Sequence, residues 1–184
     1  MSVEPINKAL FLDRDGVINI DTGYVHKVED FQFVEGIFEL VRVAFSKDYL
    51  ICVITNQAGI GRGHYSVEEF KILSHWMCAQ FKENKSEITK VYYSPYHPIH
   101  GLGEYKKDDV SRKPNPGMLF QAERELDIDL SKSIFIGDKL TDMSAGIAAG
   151  VGKNILLLPD DKQSNSKSDG YRCVSSLKES EIYL

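Results

Sequence analysis

Apolar runs of strand length alternate with helical spacing along most of the chain. The runs are Lys8–Asp13 (KALFLD), Leu50–Thr55 (LICVIT), Ile88–Ser94 (ITKVYYS), Ser133–Gly137 (SIFIG) and Asn154–Leu158 (NILLL). Their near-continuous hydrophobicity predicts strands covered on both sheet faces. Between them, Gly36–Lys47, Ser66–Glu83, Pro116–Leu126 and Leu140–Ala149 show helical spacing. Ser66 followed three residues later by Glu69 predicts a capping box, and Pro116 suits an early helix position. The alternation predicts an α/β fold: a doubly wound, Rossmann-like parallel sheet with helices on both faces and right-handed crossovers. Two connections are long, Gly16–Glu35 and Pro95–Pro114, and loops of that length in a compact domain are usually functional or disordered. The polar stretch Pro159–Gly170 reads as a mobile surface loop, and there are no internal repeats.

With 184 residues, 42% of them hydrophobic, the chain can bury one sizeable core, so residues 1–184 are expected to form one domain. A net charge of −5 argues against nucleic acid or an anionic membrane as the main partner, yet leaves room for a small anion held by local cations. Cys52, Cys78 and Cys173 are odd in number and widely spaced, which points to free thiols in a reducing compartment. No run reaches the length of a membrane span, and Met1–Asn7 lacks a basic-then-apolar signal pattern. The expectation is a cytoplasmic monomer.

In an open parallel sheet, ligands bind beyond the carboxyl ends of the strands. There the first strand delivers Asp13-Arg14-Asp15-Gly16, the second Thr55-Asn56-Gln57-Ala58-Gly59, and the fourth Gly137-Asp138-Lys139, with Asp142 one helical turn on. The loop after the third strand brings Arg112-Lys113-Pro114. Taken singly, each has a bland reading: Thr55 as a cap, Lys113 as a solvated cation, Asp138 as a turn residue. Together they make a reactive set. In extended chain Asp13 and Asp15 point together while Arg14 points away, and Gly16 allows a sharp turn behind them. Two such carboxylates need a cation or a shared proton. With Asp138 they form an all-oxygen set suited to Mg²⁺, and Lys113, Thr55 and the amides of Asn56 and Gln57 can hold phosphate oxygens opposite. The expected chemistry is attack on phosphorus by Asp13, with Asp15 as acid and then base.

The motifs DRDG, TNQAG, RKPNPG and GDKLTD resemble the four signatures of the haloacid dehalogenase (HAD) superfamily of phosphohydrolases, over about Leu10 to Leu158. FLDRDGVIN with DTGYV, ITNQAGIGRG and SRKPNPGM is similar to the heptose-bisphosphate phosphatase family, relatives of histidinol-phosphate phosphatase. The resemblance implies Asp13 as nucleophile, Asp15 as acid/base, and Mg²⁺ held by Asp13, Asp138 and the Asp15 carbonyl. Thr55 and Lys113 would hold the phosphoryl group. Arg14, Asp21, Thr22, Gly23, Tyr24, Asn56, Gln57, Ala58, Arg112 and Lys139 would face the substrate, a small phosphorylated sugar. It also implies a role in lipopolysaccharide biosynthesis. Only 42 positions separate Asp13 from Thr55 and 58 separate Thr55 from Lys113, so no cap domain fits in either interval.

Members of that family usually carry a zinc loop with Cys-x-His and Cys-x-Cys. Here Ser94-Pro95-Tyr96 and Asp109-Val110-Ser111 stand at those positions, so no zinc is expected. The loop is expected to be held by its prolines and by Tyr92, Tyr93, Tyr96 and Tyr105, although His97, His100, Asp108 and Asp109 offer an irregular alternative ligand set. Arg112 could meet a second anionic group or simply pin the loop. Arg62 and His64 read as a solvated loop or as modest substrate contacts. Gly59-x-Gly61-x-Gly63 is a weak nucleotide signal without a P-loop lysine. Trp76, Met77 and Phe81 fit a buried helix face, and His75 and Cys78 read as structural. Three rival readings remain: a phosphatase for histidinol phosphate or another small phosphomonoester, a phosphoacceptor signalling domain, and a non-catalytic sugar-phosphate binding protein. The second would place its aspartate on a middle strand and leave Asp15 without work.

Overall fold

The computed structural model describes residues 7–158 and 170–184, so the loop expected at Pro159–Gly170 lies, except for Gly170, outside the described residues. Six parallel strands form one open sheet in the order β3-β2-β1-β4-β5-β6. They are β1 Lys8–Leu12, β2 Tyr49–Asn56, β3 Lys90–Ser94, β4 Ile134–Gly137, β5 Lys153–Leu157 and β6 Arg172–Val174. Five match the apolar runs. The sixth is three residues long, too short to carry a pattern, and forms by pairing with β5.

Strand alternation divides the core into two layers. Leu10, Leu12, Ile51, Val53, Ile134 and Ile136 face one side, packed by α1 (Ile37–Ser46) and α3 (Val67–Glu83) through Leu40, Val41, Leu73, Met77 and Phe81. Ala9, Phe11, Cys52, Ile54 and Phe135 face the other, under Met118, Leu119 and Ala122 of α4 (Gly117–Leu126) and Ala145 of α5 (Leu140–Ala149). Each fully buried large side chain contributes about 1.5–3 kcal/mol relative to exposure. The sheet is thus doubly wound, and neither the β1–β2 nor the β2–β3 connection holds a cap.

Helix ends follow local chemistry. The α3 capping box forms: Glu69 N donates to Ser66 Oγ at 3.1 Å and Ser66 N to Glu69 Oε2 at 2.7 Å. Three helices start one residue later than their spaced segments, because Gly36 (φ 84°), Ser66 and Pro116 serve as N-caps. A one-turn helix, α2 (Ala58–Gly61), follows β2, and a second, α6 (Leu177–Ser180), lies near the C-terminus.

The 16–35 connection is ordered. Ile20 N donates to Gln32 O and Val34 N to Ile18 O, giving a narrow two-stranded flap. Phe31 and Phe33 anchor it edge-on and tilted against Trp76, whose helix face is buried as the spacing predicts.

Candidate active site

Because β1 is central, its tip is the best-supported point on the sheet edge. Asp13 N donates to Ile136 O of β4 at 3.0 Å, fixing the residue between the two strands. Its Oδ1 accepts from Arg14 N at 2.8 Å and lies 2.9 Å from Lys113 Nζ. That ammonium also reaches Asp142 Oδ1 at 2.7 Å and donates to Ile54 O at 2.7 Å. Lys113 is only 2% exposed, so its charge is met by two carboxylates and one carbonyl rather than by bulk water, and Asp142 Oδ1 still lacks a hydrogen-bond partner of its own. The loop bearing it is locked to β2 by a reciprocal pair: Asn56 Nδ2 donates to Lys113 O and Lys113 N to Asn56 Oδ1, both at 3.0 Å.

One carboxylate oxygen from each of Asp13, Asp138 and Asp142 lies within 4.8 Å of the others. Asp138 Oδ1 is buried with no hydrogen-bond partner. Hard oxygen donors gathered without enough protons or cations among them fit Mg²⁺. Asp142, which the sequence places one helical turn beyond Asp138, is fully buried in the first turn of α5, where its Oδ2 also accepts from Lys139 N at 3.0 Å. The spacing of four from Asp138, across a helix start, was the available signal.

Electrostatics fit a site built for a cation. Burial pushes the Asp13 carboxyl up to about 7; Lys113 pulls against this, while Asp142, Asp138 and Asp15 add to it. Burial likewise pushes Asp138 up to about 6, with Lys139 opposing. Burial alone would pull the Lys113 ammonium down, but Asp13 and Asp142 outweigh it and hold it above the usual lysine range.

Asp15 faces the same cavity from a different cradle. Its Oδ1 accepts from Arg14 Nη2 (2.8 Å) and Asn19 Nδ2 (3.1 Å), and its Oδ2 from Gln57 Nε2 (3.0 Å). Gln57 also donates to Thr55 Oγ1 at 2.8 Å, and its own carbonyl accepts from Tyr65. Here the expectation for Arg14 needs correction. It neither points away from the acids nor reaches the cavity: it is 1% exposed and curls back to Asp15 and to Val25 O. The reason is local. The strand ends at Leu12, and the amides of Val17, Ile18 and Asn19 all turn onto Arg14 O, so period-two alternation stops.

The cavity, about 240 Å³, is walled by Asp13, Asp15, Asp21, Gly23, Tyr24, Asn56, Gln57, Ala58, Lys113 and Lys139 from the expected set, joined by Gly59, Tyr65, Thr141 and Asp142. Lys139 Nζ bonds Asp21 Oδ2 at 3.1 Å across the mouth. Burial raises the Asp21 carboxyl, but Gly23 N–H and Lys139 prevail and hold it low. Tyr24 adopts φ 51° and accepts from Arg62 Nη1 at 2.6 Å. Thr55 is fully buried behind the wall, Thr22 is exposed beside it, and Arg112 lies apart, donating to Tyr96 O at 2.9 Å.

The 95–113 loop is held by its own polar contacts more than by the expected tyrosines. Ser111 Oγ bonds Ser94 Oγ (3.0 Å) and Asp109 Oδ1 (2.7 Å), and Lys107 pairs with Asp109 (2.8 Å) while its Nζ lies 4.1 Å from the Tyr96 ring centroid. Tyr105 packs near Tyr96, but Tyr92 faces α4 and bonds Glu125, and Tyr93 packs on Phe70. His97 Nδ1 accepts from the amides of Ile99 and His100, so that ring is used within its own turn.

Gly16 is where backbone and acidic cluster meet. It sits at φ 93°, and a Cβ there would come within 2.2 Å of Asp138 Oδ2. Gly16→Ala should therefore cost about 1–3 kcal/mol in backbone strain and displace the Asp138 carboxylate. The expected result is a lowered melting temperature and a Mg²⁺ affinity weakened by about tenfold or more; unchanged Mg²⁺ affinity by calorimetry would contradict this geometry.

Solved structures with this fold place the chain among the HAD-like phosphatases. A Mesorhizobium loti protein described as a HAD-like phosphatase matches with TM-score 0.85 and 32% identity, over 97% of this chain and 84% of its own. The D,D-heptose 1,7-bisphosphate phosphatase of B. bronchiseptica, solved with magnesium and phosphate, matches in fold with TM-score 0.80 and 24% identity, over 96% and 97% of the two chains. Among sequence relatives, D-glycero-alpha-D-manno-heptose-1,7-bisphosphate 7-phosphatase from Burkholderia mallei is 52% identical over 84% of this chain and 82% of its own. A family model described as polynucleotide kinase 3 phosphatase matches residues 9–170. The chain belongs to that family and, within it, to the D-glycero-D-manno-heptose-1,7-bisphosphate 7-phosphatases. It is a phosphatase, and among the described residues no helix is long and apolar enough to cross a membrane.

Proposed function

We propose that this protein removes the 7-phosphate of D-glycero-D-manno-heptose 1,7-bisphosphate through an aspartyl-phosphate on Asp13, with Mg²⁺ and without zinc, as a single-domain monomer in the cytoplasm. The observation that carries the reading is the contact of Asp13 Oδ1 with Lys113 Nζ at the cavity floor, in a chain 52% identical to a named heptose-bisphosphate phosphatase. Residues Asp13, Asp138 and Asp142, with the Asp15 carbonyl, would hold the metal. When bound, Mg²⁺ supplies Lewis-acid neutralisation of phosphoryl charge.

The chain's own residues do the rest. Asp13, fixed by β1, β4 and the Arg14 amide, aims one oxygen at phosphorus. Lys113 opposes the charge that builds on the transferring oxygens. Asp15 passes a proton to the departing sugar oxygen and later takes one from the attacking water, while Arg14, Asn19 and Gln57 keep its carboxyl in place. Tyr24, Asn56, Gln57 and Lys139 line the route along which the sugar enters. Free, unbridged Cys52, Cys78 and Cys173 suit a reducing compartment.

Phosphate release from both anomers of the heptose bisphosphate, beside histidinol phosphate, tests the reading with Mg²⁺ and with chelator. The expected result is a large kcat/KM preference for the heptose bisphosphate that chelation abolishes; equal turnover of histidinol phosphate would overturn it. Mg²⁺ affinity should weaken as pH falls from 8 to 6. Both Asp13 (about 7) and Asp138 (about 6) are raised, so each holds a proton below those values that the metal must displace. Calorimetric titration across that range reads the effect directly.

A further inference from the structure

Tyr65 lies two positions past the ITNQAGIGRG motif, yet it reaches the cavity wall. The one-turn helix α2 reverses the chain after β2, and His64 N donates to Gly59 O at 2.9 Å. This lays the Tyr65 ring across Gly59, where a Cβ would fall 2.2 Å from the ring's Cε1. His26 of the flap stacks on the same ring, with centroids 5.0 Å apart and planes 5° from parallel. Ile60 and Phe70 complete the packing, and Tyr65 is buried. A buried tyrosine hydroxyl needs a partner, and this one donates to Gln57 Oε1. Burial pushes that hydroxyl up to about 12, so it keeps its proton at neutral pH.

We propose that Tyr65 is a positioning residue for the acid/base: its hydroxyl fixes the Gln57 amide, and through that amide the Asp15 carboxyl. The proposal rests on the reading of Asp15 as the acid. A primary amide offers two hydrogens and one carbonyl. Gln57 gives its hydrogens to Asp15 Oδ2 at 3.0 Å and Thr55 Oγ1 at 2.8 Å. It is 1% exposed, so its carbonyl is met by Tyr65 rather than by bulk water. Turning the amide over would set that carbonyl against the Asp15 carboxylate. Removing the hydroxyl would leave the carbonyl buried without its donor, so the amide would lose its fixed seat. The other contacts do not replace it. Arg14 and Asn19 come from the same turn as Asp15 and move with it, whereas Gln57 ties that turn to the tip of β2.

Tyr65→Phe keeps the ring on Gly59 and His26 and deletes only the hydroxyl. A proton donor matters for an alkyl ester and little for p-nitrophenyl phosphate, whose phenolate departs without a proton. In Tyr65→Phe, kcat/KM for the heptose bisphosphate should fall by about tenfold, with kcat carrying most of the loss, and that for p-nitrophenyl phosphate by less than about threefold. In a Gln57→Met background the same substitution should move the ratio of the two esters no further. Parallel losses on both esters, no loss on either, or a further change in Gln57→Met would overturn the proposal. The side-chain NH₂ signals of Gln57, read by NMR in the free protein, follow the contact apart from the reaction. They should shift in Tyr65→Phe, and unmoved signals would count against the proposal just as firmly. Should wild type leave the heptose compound untouched, the substrate reading fails, and histidinol phosphate, also an alkyl ester, decides the ratio for Tyr65 in its place.

Discussion

Asp13→Asn will abolish turnover, with kcat lower by on the order of 10⁴-fold or more, while the protein stays folded. The amide has nearly the shape of the carboxylate and can still accept from Arg14 N and Lys113 Nζ, but it cannot form the acyl phosphate. Stability should move the other way at high pH. The folded Asp13 carboxyl titrates near 7, above its unfolded range, so its contribution is present at low pH and lost as pH rises through 7. The loss starts above the unfolded value of 3.8, so in chelator the variant should melt near wild type only below that pH, and increasingly above it as pH rises to 8. Turnover within a hundredfold of wild type, or a phosphoryl group trapped on another residue by intact-protein mass measurement, would remove the nucleophile from the account.

Much of this site was legible before any coordinates, for a physical reason. Strands buried on both faces leave their polar residues at their tips, so DRDG, TNQ and GDK mark the sheet edge where the cavity opens. What stayed hidden depended on chain direction after the strands end. Arg14 could not be placed by alternation, because the Gly16 turn collapses residues 14–19 onto one carbonyl. Asp142 looked like an ordinary helix residue until α5 turned it under Lys113. Arg62 left two readings open, a solvated loop or a modest substrate contact; its hydrogen bond to the Tyr24 hydroxyl joins positions 38 apart that no spacing could pair. The three-residue β6 likewise exists only through its partner.

Lys113→Met should be the most disruptive single change to both fold and activity. Methionine fills similar space but leaves Asp13 and Asp142 facing each other with no cation, and leaves the Ile54 carbonyl without its donor. Removing one partner of a buried ion pair typically costs about 3–5 kcal/mol. The pH dependence gives the cause away. Lys113 is raised above the usual lysine range, so its own contribution is complete below that range and constant across pH 5–9. Any change in the deficit over that interval comes from the acids: at pH 5 Asp13 takes a proton and the loss shrinks, and at pH 8 it is largest. Urea unfolding at the two pH values, in chelator, measures the difference. Added Mg²⁺ should recover part of the stability, since it returns positive charge to the same carboxylates, but little of the turnover, which should stay lower by on the order of 10³-fold because the phosphoryl oxygens have lost their lysine. A variant as stable at pH 8 as at pH 5 relative to wild type would mean the two carboxylates do not depend on this cation, and the electrostatic design of the site would have to be redrawn.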